Sequence, residues 1–247
     1  MSTSPQLAGA LPRLARLAAS AACAILAGVA ASGAQATDVA DWHYAAPMPD
    51  SMLQFGSRRL YLPPGHWTLV TRHDSRTYTS HGAAVAVATA WAVRIENDRF
   101  RMAVALSLPA QRLIGINRWG ADPCEHTKQQ IFQRTLSTSL ATPECISVEG
   151  SLGLMQYMRE TNLRVAEWFE THKMEDIDGL VHVLYTKNHN TTFGRVSVLL
   201  PVQAFESDAE LIRWANTLPG LLGPFIDADK DDVTLPEPTP PAPTDKP

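Results

Sequence analysis

Larger side chains alternate with small ones along two neighbouring stretches, Val85–Ile95 and Phe100–Leu108, and the pattern predicts a β-hairpin. Val87, Thr89, Trp91, Val93 and Ile95 fall on one side of the first strand. A four-residue link, Glu96-Asn97-Asp98-Arg99, sets Ile95 opposite Phe100, so that Met102, Val104, Leu106 and Leu108 are expected to continue the same apolar face. The other face carries Ala88, Ala90, Ala92, Ala103 and Ala105, a small-residue surface suited to a close-packed helix or to solvent.

A second hairpin is expected from Leu180–Thr186 and Phe193–Leu200 around the polar turn Lys187-Asn188-His189-Asn190. Two shorter strands, Arg59–Leu62 and His66–Arg72, flank Pro63-Pro64-Gly65. In that turn proline fixes φ and glycine supplies the conformation other residues avoid. Trp67, Leu69 and Thr71 share one side of the second strand. Helical spacing appears in Leu154–Lys173, where Met155, Met158, Val165 and Phe169 alternate with charged residues, and Asn162 leaves open whether there is one helix or two. Glu125–Leu136 suits a short helix after Pro123. A last helix begins at Ser207, which with Glu210 forms an S-x-x-E capping box, and Pro219-Gly220 stops it.

These elements predict an α+β fold: an antiparallel sheet of about five or six strands built on two hairpins, with two or three helices on one face. The globular domain spans residues 58–226. Residues 37–57, with Pro47 and Pro49, read as an irregular lead-in. From Asp227 the chain turns acidic and then proline-rich, so residues 227–247 are expected to be a disordered tail whose removal leaves thermal stability unchanged.

Residues 1–36 have the layout of a secretory signal peptide. Arg13 and Arg16 precede an apolar run from Leu17 to about Ala31, and Ala34-Gln35-Ala36 offers an A-x-A site cut after Ala36. The run is mostly alanine and shorter than the roughly twenty strongly apolar residues of a spanning helix, so a retained anchor is the lesser alternative. Lipidation at Cys23 would split the run and lacks a leucine at Ser20. The two arginines are too far apart for a twin-arginine signal. An alanine-rich composition points to a GC-rich bacterium and hence to the periplasm, with secretion or anchoring through an uncleaved signal as alternatives.

Cleavage leaves 211 residues carrying 19 basic and 25 acidic side chains, a net charge of −6. That length supports one sizeable core. The cations are scattered, without the basic patch that nucleic-acid binding requires. No later stretch approaches transmembrane length. Two of the three cysteines remain, Cys124 and Cys145, and an even count in an exported chain reads as one disulfide. Closing a loop of that size is worth about 3 kcal/mol through the unfolded chain. A catalytic thiol beside His126 and a metal pair are the weaker readings, since the C-x20-C spacing is no zinc signature.

Searches for catalytic patterns return little. No G-x-S-x-G elbow is present, and His73-Asp74-Ser75 reads as a surface turn, because triad members meet through folding and not as sequence neighbours. The eight histidines form neither H-x-H nor H-E-x-x-H. Met155 and Met158, one turn apart, are core methionines before they are soft metal ligands. Asp227, Asp229 and Asp231 open like a calcium loop, but Asp232 and Pro238 stand where glycine and a bidentate glutamate are needed. Glu160, Glu167, Glu170, Glu175 and Asp176 are expected on the wet face of a helix, whereas glycosidase chemistry needs a carboxyl raised by burial or a like-charge neighbour, which sequence does not reveal.

Arg118 and Trp119, in a loop before the first cysteine, form a candidate contact surface, although a packed cap for the disulfide explains the tryptophan more simply. These residues carry no family motif. They imply no cofactor, no metal and no nucleic acid. The expectation is an exported, non-enzymatic protein that binds an envelope component or a ligand. A hydrolase whose site gathers distant residues, such as several of His66, His73, His126 and His182, is the alternative.

Overall fold

The eight-stranded antiparallel sheet at the centre of this protein, seen in a computed structural model, runs in the order Ala46–Met48 (β1), Trp67–Tyr78 (β4), Ala84–Glu96 (β5), Arg99–Pro109 (β6), Phe193–Pro201 (β10), Leu180–Asn188 (β9), Glu144–Leu152 (β8) and Gln130–Ser137 (β7). The structure describes residues 45–78, 84–110, 124, 130–139, 141–173, 179–189 and 191–238, all within one compact unit, 36–247. A separate three-stranded sheet, ordered β11-β3-β2, contains β2 (Met52–Phe55), β3 (Arg58–Tyr61) and β11 (Asp232–Thr234). Four short helices complete the fold: α1 (Leu154–Thr161), α2 (Leu163–Thr171), α3 (Asp208–Ala215) and α4 (Leu218–Ile226). The α+β class is as expected, but the sheet is larger and its helices cover both faces.

A bulge explains why both faces are covered. In the β5–β6 hairpin Ile95 pairs with Phe100 as expected, and Asn97 and Asp98 both take positive φ, as a two-residue hairpin turn requires. The register then slips between Arg94 and Ile95, so Arg94 pairs with Met102, Ala92 with Val104 and Val93 with Ala103. One extra residue turns the rest of β6 over relative to β5. Met102, Val104, Leu106 and Leu108 therefore sit beside Ala90 and Ala92, while Trp91 and Val93 sit beside Ala103 and Ala105. Each face gains large side chains from one strand and room from the other. A second bulge, between Leu69 and Thr71, puts Thr71 opposite Trp91, on the face away from Leu69.

On one face α1 and α2 lay Met155, Met158, Val165, Trp168 and Phe169 against Trp91, Val93, Phe100 and Leu199. Asn162 separates the two helices: its backbone N–H caps α1 at Met158, and its side chain accepts from Val165 N at the start of α2. The opposite face receives α3, α4 and the small sheet through residues such as Leu211, Phe225, Leu53 and Val233. Ser207 caps α3 as expected, accepting from Glu210 N. Pro219 does not stop a helix. It lies in the first turn of α4, where its missing N–H has no intrahelical partner to lose.

Gly194 of β10 lies against α4: a Cβ built there meets Ile226 Cγ1, Cδ1 and Cγ2 at 2.5, 2.7 and 2.9 Å. Ile226 is fully buried and branched, so it has nowhere to move. Gly194→Ala is expected to cost about 1–3 kcal/mol by overpacking, measurable as a lower urea midpoint with unchanged slope.

Three expectations are corrected. The segment 130–137 is strand β7, not helix, and pairs with β8; residues 125–129 lie outside the described residues. Ile131, Phe132 and Leu136 make a poor helical stripe, and the strand supplies partners for the backbone of β8. The lead-in is structured from residue 45. Pro47 is tolerated because β1 is an edge strand, and Leu53 in β2 is fully buried. The tail is ordered through Pro238. There β11 pairs in parallel with β3, Val233 and Leu235 are buried, Arg59 grips Asp232 at 2.6 and 2.7 Å, and Leu235 N donates to Tyr61 O. Residues 239–247 lie outside the described residues.

Candidate functional site

Hydroxyl and amide side chains form a band across the α1–α2 face of the large sheet. In antiparallel pairing, opposite residues share a face. On that basis Thr89 of β5, Ser107 of β6, Arg195 of β10, Thr186 of β9 and Cys145 of β8 form one row across the strands, with His73 and Thr135 at its ends. The next row contains Thr71, Trp91, Ala105, Ser197, Leu184, Ser147 and Gln133. Of these, Thr71, Thr89, Ser147, Thr186 and Ser197 are buried. Apolar side chains at such positions would stabilise the sheet more, since a buried hydroxyl must first recover its lost hydration.

Some of the band satisfies itself. Thr89 Oγ1 and Ser107 Oγ share a hydrogen bond of 2.8 Å, and Gln133 Nε2 donates to Cys124 O at 2.5 Å. Among the described residues two atoms find no partner: Thr186 Oγ1 and Gln133 Oε1 are buried without a hydrogen bond. The disulfide between Cys124 and Cys145, with Cα atoms 5.8 Å apart, ties Cys124 to the β8 residue that pairs with Thr186.

Where the band meets the helices, four residues form a directed chain. His182 Nδ1 lies 3.2 Å from Glu149 Oε2, and since a carboxylate only accepts, Nδ1 carries the proton. In the neutral ring Nε2 then accepts from the Tyr157 hydroxyl at 3.4 Å, and the ring centroids of Tyr157 and His182 are 4.9 Å apart. Ser197 donates in turn to the Tyr157 oxygen. Burial, with the Glu149 charge adding to it, pushes the Tyr157 phenol up to about 12, while Arg195 and the Ser197 hydrogen bond oppose the shift. The phenol is thus a fixed donor at neutral pH and neither a base nor a nucleophile.

Charge on this face is sparse. Among the described residues Arg195 is exposed and makes no ion pair. His73, at the end of the row, titrates below its ordinary value because desolvation disfavours the imidazolium and Arg164 repels it, against the pull of Asp74.

A second polar cluster sits on the other face. Lys187 Nζ lies 2.6 Å from Asp227 Oδ2 and 3.5 Å from Glu144 Oε2, and the Tyr185 hydroxyl donates to Glu144 Oε1 at 2.7 Å. Burial works against the Lys187 charge, but Asp227 and Glu144 outweigh it and hold its pKa above the ordinary value. Tyr185 is driven up by burial and by Glu144. Gly223 makes room for the cluster, since a Cβ there would stand 3.1 Å from Tyr185 Oη and 3.4 Å from Lys187 Nζ.

Both phenols predict an alkaline transition. A folded pKa above the unfolded value of about 10 stabilises the fold below pH 10, and that stabilisation is lost as pH rises toward 12. Absorbance at 295 nm should show at least two tyrosines still protonated at pH 11 in the native protein and ionised once urea unfolds it.

The residues singled out from sequence are not brought together. His66 and His73 are exposed, and His73 on β4 is separated from His182 on β9 by three strands. Met155 and Met158 are buried among apolar neighbours. Glu170 pairs with Arg159, and Asp231 accepts from Ser57, so neither belongs to a carboxylate site. Ala36, Arg118, Trp119 and His126 lie outside the described residues. No group of three or more His, Cys, Asp or Glu able to hold a metal occurs among the described residues. No helix there is long and apolar enough to cross a membrane.

Glu149, Tyr157, Arg195 and Ser197 were not anticipated. The signal was present in the second hairpin, where His182, Leu184 and Thr186 alternate with Val181, Val183 and Tyr185, and where Arg195 and Ser197 alternate with Val196 and Val198. Comparison with protein families, with curated proteins and with solved structures finds no match for this chain.

Proposed function

We propose that this chain is an exported protein of the bacterial periplasm that acts without catalysis, holding a polar ligand or an envelope component on the hydroxyl-lined band. The observation that carries this reading is the band itself: buried hydroxyls on Thr71, Thr89, Ser147, Thr186 and Ser197 gather on the α1–α2 face of the sheet, where apolar side chains would stabilise the fold more. The amino-terminal signal and the Cys124–Cys145 disulfide support the address.

Native mass spectrometry of the tagged protein recovered from a periplasmic extract tests the binding role. The reading expects an associated small molecule or envelope protein that is lost from a Thr89→Val, Ser107→Ala variant. Removing both partners of that hydrogen bond is nearly neutral for stability, so loss of the companion would report on the band and not on unfolding. A wild-type chain recovered alone would count against the reading.

A hydrolase is the second reading, favoured by the Glu149–His182 pair, a carboxylate orienting a histidine as in acyl-transfer sites. Against it, Tyr157 stands between His182 and Ser197, and its phenol stays protonated. Hydrolysis of an ester or peptide that vanishes in a folded His182→Gln variant would restore it.

A further inference from the structure

Resting on the binding role above, we infer that the ligand is a carboxylate, received by the Arg195 guanidinium together with the Thr186 hydroxyl. Arg195 lies near the middle of the polar row, opposite Ser107 on β6 and opposite Thr186 on β9. It is exposed and has no ion pair among the described residues. Thr186 is 3% exposed, yet its Oγ1 has no hydrogen-bond partner among the described residues. A buried hydroxyl without a partner costs free energy that an isosteric valine would not. A carboxylate takes two parallel donors from a guanidinium and a third from a hydroxyl, so a cross-strand Arg–Thr pair supplies the charge and the donors it needs.

The remaining charges on this face favour a single negative charge. Glu149 lies two positions along β8 from Ser147, its carboxylate engaged with His182. His73, shifted down by desolvation and by Arg164, adds no second cation at neutral pH. A phosphate dianion would meet Arg195 as the one cation in the row among the described residues, which is poor compensation. A monoanionic carboxylate is balanced by Arg195 alone.

The test uses the mature chain, residues 37–247, with its disulfide intact. Sodium acetate, sodium phosphate and choline chloride are titrated at constant ionic strength while the Arg195 Nε–Hε resonance is followed. Acetate is expected to shift that resonance saturably, phosphate at least fivefold more weakly, and choline not at all. Arg195→Gln, followed through neighbouring amides, should weaken acetate at least tenfold. Thr186→Val should weaken it several-fold while leaving the melting temperature equal or higher, since an unpartnered buried hydroxyl has been removed. That divergence separates a receptor from a structural threonine.

Linear shifts, phosphate binding as tightly as acetate, or Thr186→Val affinity equal to wild type would overturn the inference. If the extract yields a neutral companion unaffected by Arg195→Gln, the binding role stands and only the carboxylate assignment falls.

Discussion

Cutting the chain before Asp232 should lower the melting temperature by about 10–20 °C, whereas cutting after Pro238 should change it by about 1 °C or less. The first cut removes β11 and with it Val233 and Leu235, which are 7% and 1% exposed. Burying such side chains is worth about 1.5–3 kcal/mol each. It also removes Glu237, whose carboxylate receives Arg94 NH1 at 2.9 Å and Arg94 NH2 at 2.5 Å. The Arg94 side chain is only 8% exposed and lies 5.7 Å from the Trp67 ring centroid. Leaving it with only Glu96 at 3.5 Å and Pro64 O costs about 3 kcal/mol. A total near 6 kcal/mol converts to the stated shift for a chain of this size. The second cut removes nine residues that contain no large apolar side chain. Equal melting temperatures for the two truncations would show that β11 and Glu237 contribute nothing. Glu237→Gln separates the ion pair from the strand: it keeps the segment and should lose only the charge-dependent part.

Lys187→Met is expected to cost about 3–5 kcal/mol, more than its position near the surface suggests. Lys187 is the single cation between Asp227 and Glu144, whose side chains are 22% and 20% exposed. Methionine fills the space of the stem but leaves two carboxylates facing each other with only the Tyr185 hydroxyl between. Asp227 also caps the C-terminus of α4, where the helix dipole disfavours negative charge. Adding Asp227→Asn and Glu144→Gln to Lys187→Met should recover most of the loss, because the hydrogen-bonding groups remain and the repulsion does not. If the triple variant is no more stable than Lys187→Met, the deficit comes from packing against Gly223 and not from charge.

The hairpins were legible because their period-two alternation and turn residues agree, although β9 runs on through Lys187 and Asn188, both expected in the turn, to pair with Gly194 and Phe193. The capping signal at Ser207 was equally local and equally plain. What escaped was set by single-residue events and by distant partners. One extra residue opposite Arg94 turns Met102, Val104 and Leu106 to the far face, and no periodicity within either strand reveals which side a bulge will choose. The residues of β7 read as a weak helix until β8 supplies hydrogen-bond partners. The tail read as disordered because prolines and acids dominate it, yet Val233, Leu235 and Glu237 find a groove and an arginine more than a hundred residues away in sequence.

The polar band shows the same division. Each strand announces one or two polar positions, which alone are unremarkable. Only the register between five strands aligns Thr89, Ser107, Arg195, Thr186 and Cys145 into one row. The disulfide, by contrast, followed from the expectation of export and an even cysteine count.

Export is the premise beneath both the paired thiols and the proposed role, and intact-mass analysis of the protein from fractionated cells tests it most directly. After alkylation without reductant, the chain should appear in the extracytoplasmic fraction, begin at Thr37, weigh two hydrogens less than its sequence mass and carry no alkyl group. A cytoplasmic chain that retains residues 1–36, with Cys124 and Cys145 both alkylated, would contradict it.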